Sequence, residues 1–153
     1  MVVNQKSKTE AQAVPRQEKP KPPTQQEIQR VLSAAGIEGY PFSVVGGPVI
    51  VSDNHGGYLT AVVGFCEIEE PNYGPHSIFF WHNGRYIGRD WWRHAVTTRG
   101  YVKVEPSTLP GGGSAVKASY SQNGEYWANV WFFWNGERLT PVPPNPPENI
   151  LWG

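Results

Sequence analysis

Short runs in which apolar and polar side chains alternate, or in which apolar residues follow one another between Gly, Pro and Asn, recur through most of the chain. They fall at residues 49–52, 58–67, 77–82, 85–88, 101–105, 115–122, 125–134 and 137–142, and this period of two predicts β-strands. Three of the junctions are Asn-Gly dipeptides: Asn83-Gly84, Asn123-Gly124 and Asn135-Gly136. Asn-Gly suits a type I′ hairpin turn, in which both central residues take positive φ, so antiparallel connectivity follows. Only one stretch has helical spacing. Thr24 with Glu27 matches a capping box, and Ile28, Val31, Leu32 and Ala35 then recur on one side before Gly36, which predicts a helix over 25–35. Its apolar stripe is narrow, as expected of a lid on a sheet. The predicted fold class is α+β, mainly β: an antiparallel, hairpin-rich curled sheet or partial barrel with one short N-terminal helix packed on it.

Turn position fixes register, and register fixes which side chains share a face. With Asn83-Gly84 as a two-residue turn, His82 opposes Arg85, Trp81 opposes Tyr86 and Phe80 opposes Ile87. Phe80 and Ile87 then share a face with Ile78, while Phe79, Trp81 and Tyr86 take the other. In the last hairpin Val130, Phe132, Trp134 and Leu139 share a face, with Trp131 and Phe133 opposite. The run Phe79-Phe80-Trp81-His82-Asn83-Gly84-Arg85 is echoed by Phe132-Phe133-Trp134-Asn135-Gly136-Glu137, and two hairpins under one packing demand explain the likeness without a duplication. Bulky groups on both faces require a sheet covered twice, a sheet closed on itself, or a face left open for a ligand.

Composition agrees with this pattern and limits the function. Seven Trp, seven Tyr, six Phe, fifteen Pro and seventeen Gly describe many turns with aromatics between them. Residues 1–23 hold little that can be buried, and Lys6, Lys8, Arg16, Lys19 and Lys21 outnumber Glu10 and Glu18. They predict a disordered, proline-rich tether ahead of a single mainly-β domain at 24–153. Thirteen basic against thirteen acidic residues give a net charge of zero, which argues against nucleic acid as a partner. The lone Cys66, within Val62-Val63-Gly64-Phe65-Cys66, reads as a small buried hydrophobe. No apolar run reaches the ~18 residues of a membrane span, and no apolar signal segment follows Met1. Read literally the chain is soluble; the alternative is that a signal segment has been removed and Met1 added.

No catalytic, metal or cofactor constellation stands out. His55, His76, His82 and His94 lie in no nucleophile frame and read as surface residues. The nearest metal-like pair is Asp53 with His55 in a glycine-rich turn, too few ligands for a site. Glu67, Glu69 and Glu70 read as a solvated strand end before Pro71, and Gly111-Gly112-Gly113 as a hairpin loop rather than a phosphate cradle. The least ordinary segment is Arg89-Asp90-Trp91-Trp92-Arg93-His94. If extended, it points Trp91 and Trp92 to opposite sides. An indole framed by Arg89, Arg93 and His94 could stack on a sugar ring or a peptide side chain.

Taken together, Tyr58-Leu59-Thr60-Ala61-Val62-Val63, the hairpin Ser77 to Gly88, Gly100-Tyr101-Val102-Lys103-Val104 and the late strand Val130 to Trp134 with Asn135-Gly136 resemble the LppP/LprE-type bacterial lipoproteins. The resemblance implies an envelope protein held by an N-terminal lipid, with no functional residues to carry over. The expectation is a non-catalytic extracytoplasmic domain, monomeric, that presents an aromatic surface to a glycan or an envelope protein. Membrane contact is expected only through an anchor outside this sequence. Two alternatives stay open: a small hydrolase or lyase using Asp90 or Glu67 with a histidine in a β cleft, and a structural or inhibitory interaction domain.

Overall fold

The computed structural model describes residues 19–69, 74–90, 101–122 and 125–144, with the backbone alone for Tyr101, Gln122 and residues 125–127. Helix α1 spans Gln25–Ala34 and is followed by β1 (Phe42–Ser52), β2 (Tyr58–Cys66), β3 (His76–His82) and β4 (Arg85–Arg89). Then come β5 (Tyr101–Thr108), β6 (Ser114–Gln122), β7 (Glu125–Trp134) and β8 (Leu139–Val142). The first four strands make one antiparallel sheet in chain order and the last four a second. The fold is α+β and mainly β, as the alternation predicts. The sheet does not close into a barrel: the hairpins divide into two open antiparallel sheets that stack, with no ladder joining them among the described residues.

The stacking follows from side-chain alternation. Leu59, Ala61, Val63, Ile78 and Phe80 point from the first sheet into a core shared with Val116, Ala118, Val130 and Phe132 of the second. Phe80 and Phe132 meet across it, ring centroids 4.9 Å apart. The opposite face of the first sheet carries Phe42, Val62, Cys66, Phe79 and Trp81, and α1 lays Ile28, Val31 and Leu32 over them. A layer of helix, sheet and sheet results. Gly64 makes the helix fit: a Cβ there would lie 2.9 Å from the Phe79 ring and 3.1 Å from Leu32.

The helix begins as expected, with the Thr24 hydroxyl accepting a 3.1 Å bond from the Glu27 amide. Glu27 turns its carboxylate to Arg30, at 3.0 Å from both Nε and Nη2, and to the Trp81 indole N–H at 3.4 Å, so this first-turn residue ties helix to sheet. Cys66 is fully buried and donates to the Tyr40 carbonyl at 3.1 Å, with burial raising its pKa.

At Asn83-Gly84, φ values of 51° and 86° match the type I′ expectation, and His82 faces Arg85 and Trp81 faces Tyr86. Beyond them a bulge sets Phe80 opposite Gly88 rather than Ile87, although Ile87 still packs on the shared core. The third Asn-Gly behaves differently. The Asn135 side chain accepts from the amides of Glu137 and Arg138, at 2.8 and 2.9 Å, and the Asn135 amide donates to the Arg138 carbonyl. With those groups used in the turn, Trp134 pairs with Leu139, and the strand expected from residue 137 starts two residues later. Asn123-Gly124 lies outside the described residues, and Gln122 pairs with Glu125 on either side of it.

Two strands are longer than their breakers imply. β1 runs from Phe42 through Gly46-Gly47-Pro48, slipping register on both sides of Gly46, and β5 continues through Pro106 to Thr108. Both are edge strands, where proline and bulges cost few ladder bonds. Of the tether at 1–23, residues 1–18 lie outside the described residues. The part from Lys19 onward passes over the β3–β4 turn, bringing the Lys21 carbonyl within 3.0 Å of where a Gly84 Cβ would stand.

Candidate binding face

Strand alternation places Lys103, Glu105 and Ser107 of β5, Ala115, Lys117 and Ser119 of β6, Asn129, Trp131 and Phe133 of β7, and Thr140 and Val142 of β8 on the outer face of the second sheet. Register aligns Glu105, Lys117, Trp131 and Val142 in one row across the four strands, with Lys103, Ser119 and Asn129 in the next. Helix α1 lies on the other sheet, so among the described residues no helix covers this face.

Trp131 dominates it. The indole N–H donates to the Ser107 hydroxyl at 3.2 Å, so the ring reaches from β7 across β6 to β5. Ala115, paired with Ser107, lies beneath that crossing and is fully buried although it points outward. The Lys117 ammonium stands 5.6 Å from the ring centroid, within cation–π range. Trp131 and Phe133 are both half-buried. A flat indole fixed at its N–H, beside hydroxyl, amide, ammonium and carboxylate groups, can stack on a ring while its neighbours hydrogen-bond the ring's substituents.

A second cluster gathers at the sheet end where four hairpin turns meet. Asp53 is 2% exposed. Its Oδ1 accepts from the amides of His55 and Gly57, at 2.7 and 2.8 Å, and its Oδ2 lies 2.7 Å from His82 Nε2. Burial pushes this carboxyl up, but the His82 bond and the two amides outweigh it and hold the pKa below the usual value. The His82 ring stacks on Trp134 at 3.8 Å and 11°. Asn54 exchanges two hydrogen bonds with the Ser114 backbone, at 2.8 and 3.2 Å, and the Asn83 side chain accepts from the Tyr58 amide. These contacts latch the first sheet to the second. They also revise the histidine reading: His82 is a bonded, stacked member of the latch rather than a solvated surface residue. Asp53 and His55 do share a turn, yet Asp53 takes the His55 backbone and the ring of His82. No group of three or more His, Cys, Asp or Glu side chains able to hold a metal occurs among the described residues.

Trp91, Trp92, Arg93 and His94 lie outside the described residues. Arg89 is described, and its guanidinium sits over the Phe42 and Phe79 rings, 5.2 and 5.4 Å from their centroids, at the edge of the helix-covered layer. Asp90 turns inward between the sheets. Its carboxylate accepts from the Ser77 hydroxyl at 2.9 Å, the Ile78 amide at 3.3 Å and the Tyr120 hydroxyl at 2.9 Å. Burial raises its pKa to about 6 against those bonds. Glu67 is exposed on a separate loop.

Sequence reasoning put Trp131 and Phe133 on the face opposite Val130 and Phe132 but did not single them out. The strand pattern that would have found them is the same one that buries Phe79 and Trp81. No family model, no curated protein and no solved structure matches the chain.

Proposed function

We propose that this protein is a glycan-binding domain that takes a sugar chain across the outer face of its second sheet. The observation that carries this reading is the Trp131 indole, pinned to Ser107 and partly exposed on a face that α1 does not cover. The groups around it favour a sugar over an apolar protein surface, because Glu105, Lys117, Asn129 and Thr140 offer donors and acceptors on every side of the ring. Stacking supplies the apolar contact and the polar rim selects hydroxyl pattern. The resemblance to lipoproteins and the proline-rich tether support work in a cell envelope, where such glycans are abundant. A catalytic reading has less support: Asp90 is enclosed between the sheets and bonded to two hydroxyls and an amide.

The test is affinity electrophoresis and calorimetry of the full chain against soluble polysaccharides and solubilised cell-wall glycan. Trp131→Ala is expected to weaken glycan binding tenfold or more, the loss typical of a buried aromatic anchor. Retained affinity in a folded Trp131→Ala protein, or no glycan bound by the parent chain, refutes the reading.

A further inference from the structure

Trp131 and Phe133 start from neighbouring rows of β7, yet the Trp131 indole crosses into the row of Phe133. Its N–H reaches Ser107 at 3.2 Å, and Ser107 pairs with Ala115. Continuing the β6–β7 register one residue beyond Val116 and Phe132 sets Ala115 beside Phe133, which pairs with Thr140. The indole therefore leaves the row of Lys117 and Val142 and lies over Ala115, whose full burial fits that cover. Ser107, the indole, Phe133 and Thr140 form one strip at right angles to the strands. At ~4.8 Å per strand step the strip is about 14 Å long, and a pyranose is comparable in width to a single phenyl ring, so two sugar rings fit on it in sequence.

The surroundings limit what can lie there. β5 and β8 are the edges of the sheet, so among the described residues no further strand walls either end of the strip. On the turn side the β5–β6 connection is Gly111-Gly112-Gly113, and a Cβ at Gly111 or Gly112 would meet nothing within 4 Å, so no side chain rises there. On the other side stand Glu105 and Lys117, opposite in charge and paired in register, with the Lys117 ammonium 5.6 Å from the indole centroid. Lys103 stands one row farther from the strip. A balanced pair offers no net charge to an acidic or a basic sugar, while its hydrogen-bonding groups still serve hydroxyls.

Resting on the glycan reading of this face, we propose that the strip takes an internal segment of a neutral, linear glycan, laid across the strands with one sugar ring on Trp131 and the next on Phe133. A single sugar would leave half the strip bare, and a chain end would need a closed end to the site. Oligomers of cellulose and of chitin, one to six units long, titrated into the uniformly labelled full chain and followed by amide and indole NMR, provide the test. In the series that binds, affinity is expected to rise at least tenfold from one unit to three, because the second ring engages within a linked chain, and less than twofold from four to six. Longer oligomers should extend the shifted amides toward Thr140 and Ser107, not toward Asn129. Phe133→Ala should shrink the affinity ratio of three units to one below threefold, whereas a merely structural loss would weaken every length alike. Oligogalacturonates of the same lengths should bind more weakly than the neutral series. The length series and the shift map use the parent chain, so they decide the matter if Phe133→Ala does not fold. Equal affinity for one and six units, a tenfold rise retained in Phe133→Ala, shifts that lengthen along β7 to Asn129, tighter binding of oligogalacturonates, or binding of neither neutral series overturns the proposal. Each of these leaves the glycan reading standing where Trp131→Ala still weakens polysaccharide binding tenfold; a parent chain that binds no glycan removes both.

Discussion

The runs Phe79-Phe80-Trp81 and Phe132-Phe133-Trp134 are the same tripeptide in opposite phase. In β3, Phe80 faces the shared core while Phe79 and Trp81 face outward; in β7, Phe132 faces the core and Phe133 faces outward. The outward aromatics of β3, Phe79 and Trp81, are fully buried, and those of β7, Trp131 and Phe133, are half-buried. Strand chemistry does not explain the difference. It comes from α1, which lays Leu32 over Gly64 and receives the Trp81 N–H on Glu27. The same aromatic is core under a helix and surface without one, so a hydrophobic outer face marks a site only after its cover is known.

The largest expected effect tests that contrast directly. Trp81→Ala should destabilise the fold by about 3–5 kcal/mol, as large aromatic deletions in cores do, whereas Phe133→Ala should cost about 1 kcal/mol. Urea unfolding of both proteins measures the gap; equal losses would mean the second face is covered as well as the first.

A second contrast, between the two buried aspartates, sharpens the distinction between inter-sheet core and loop end. Asp90 has its folded pKa raised, from 3.8 to about 6. The unfolded chain therefore binds fewer protons over that range, and stability falls as pH rises from about 4 through about 6, by about 3 kcal/mol at 1.36 kcal/mol per pKa unit. Asp90→Asn mimics the protonated acid and should flatten this slope, with stability at pH 7 equal to or above the parent. Asp53 has the opposite sign. Its folded pKa lies below the usual 3.8, so its contribution is present above that value and is lost as pH falls through the folded pKa. Asp53→Asn should remove that acid-limb loss without changing the slope between pH 4 and 6, as followed by thermal unfolding across pH.

The smallest effect concerns the cover itself. Thr24→Ala removes the hydroxyl that caps α1 and should cost about 1 kcal/mol, read in the same urea titration. A loss below a few tenths of a kcal/mol would show that tertiary contacts alone hold the helix on its sheet.

Much of the architecture was legible beforehand. The Thr24 cap and the 3.6-residue spacing of Ile28, Val31 and Leu32 marked α1 to within one residue. Asn83-Gly84 fixed the His82–Arg85 and Trp81–Tyr86 pairs because its turn type imposes a register. Less legible were the ends of β1 and β5, where Gly46-Gly47-Pro48 and Pro106 resemble breakers until their edge position is known. Asn135-Gly136 misled for a related reason. An asparagine side chain can cap a four-residue turn as readily as its backbone can enter a two-residue one, and local sequence does not choose between them.

The candidate sites divide in the same way. Alternation alone set Trp131 and Phe133 opposite Val130 and Phe132, because successive side chains on a strand must point apart. Nothing local pairs Asp53 with His82, which meet only across the assembled first sheet, or stacks His82 on Trp134 and brings Gly46 beside Val102, which meet only when the sheets stack. What the sequence determined by itself was periodicity: the helix, the hairpins and which side chains share a face. What the tertiary structure alone decided was cover. Burial is a property of two packed layers, and one strand's sequence carries no record of what lies on top of it.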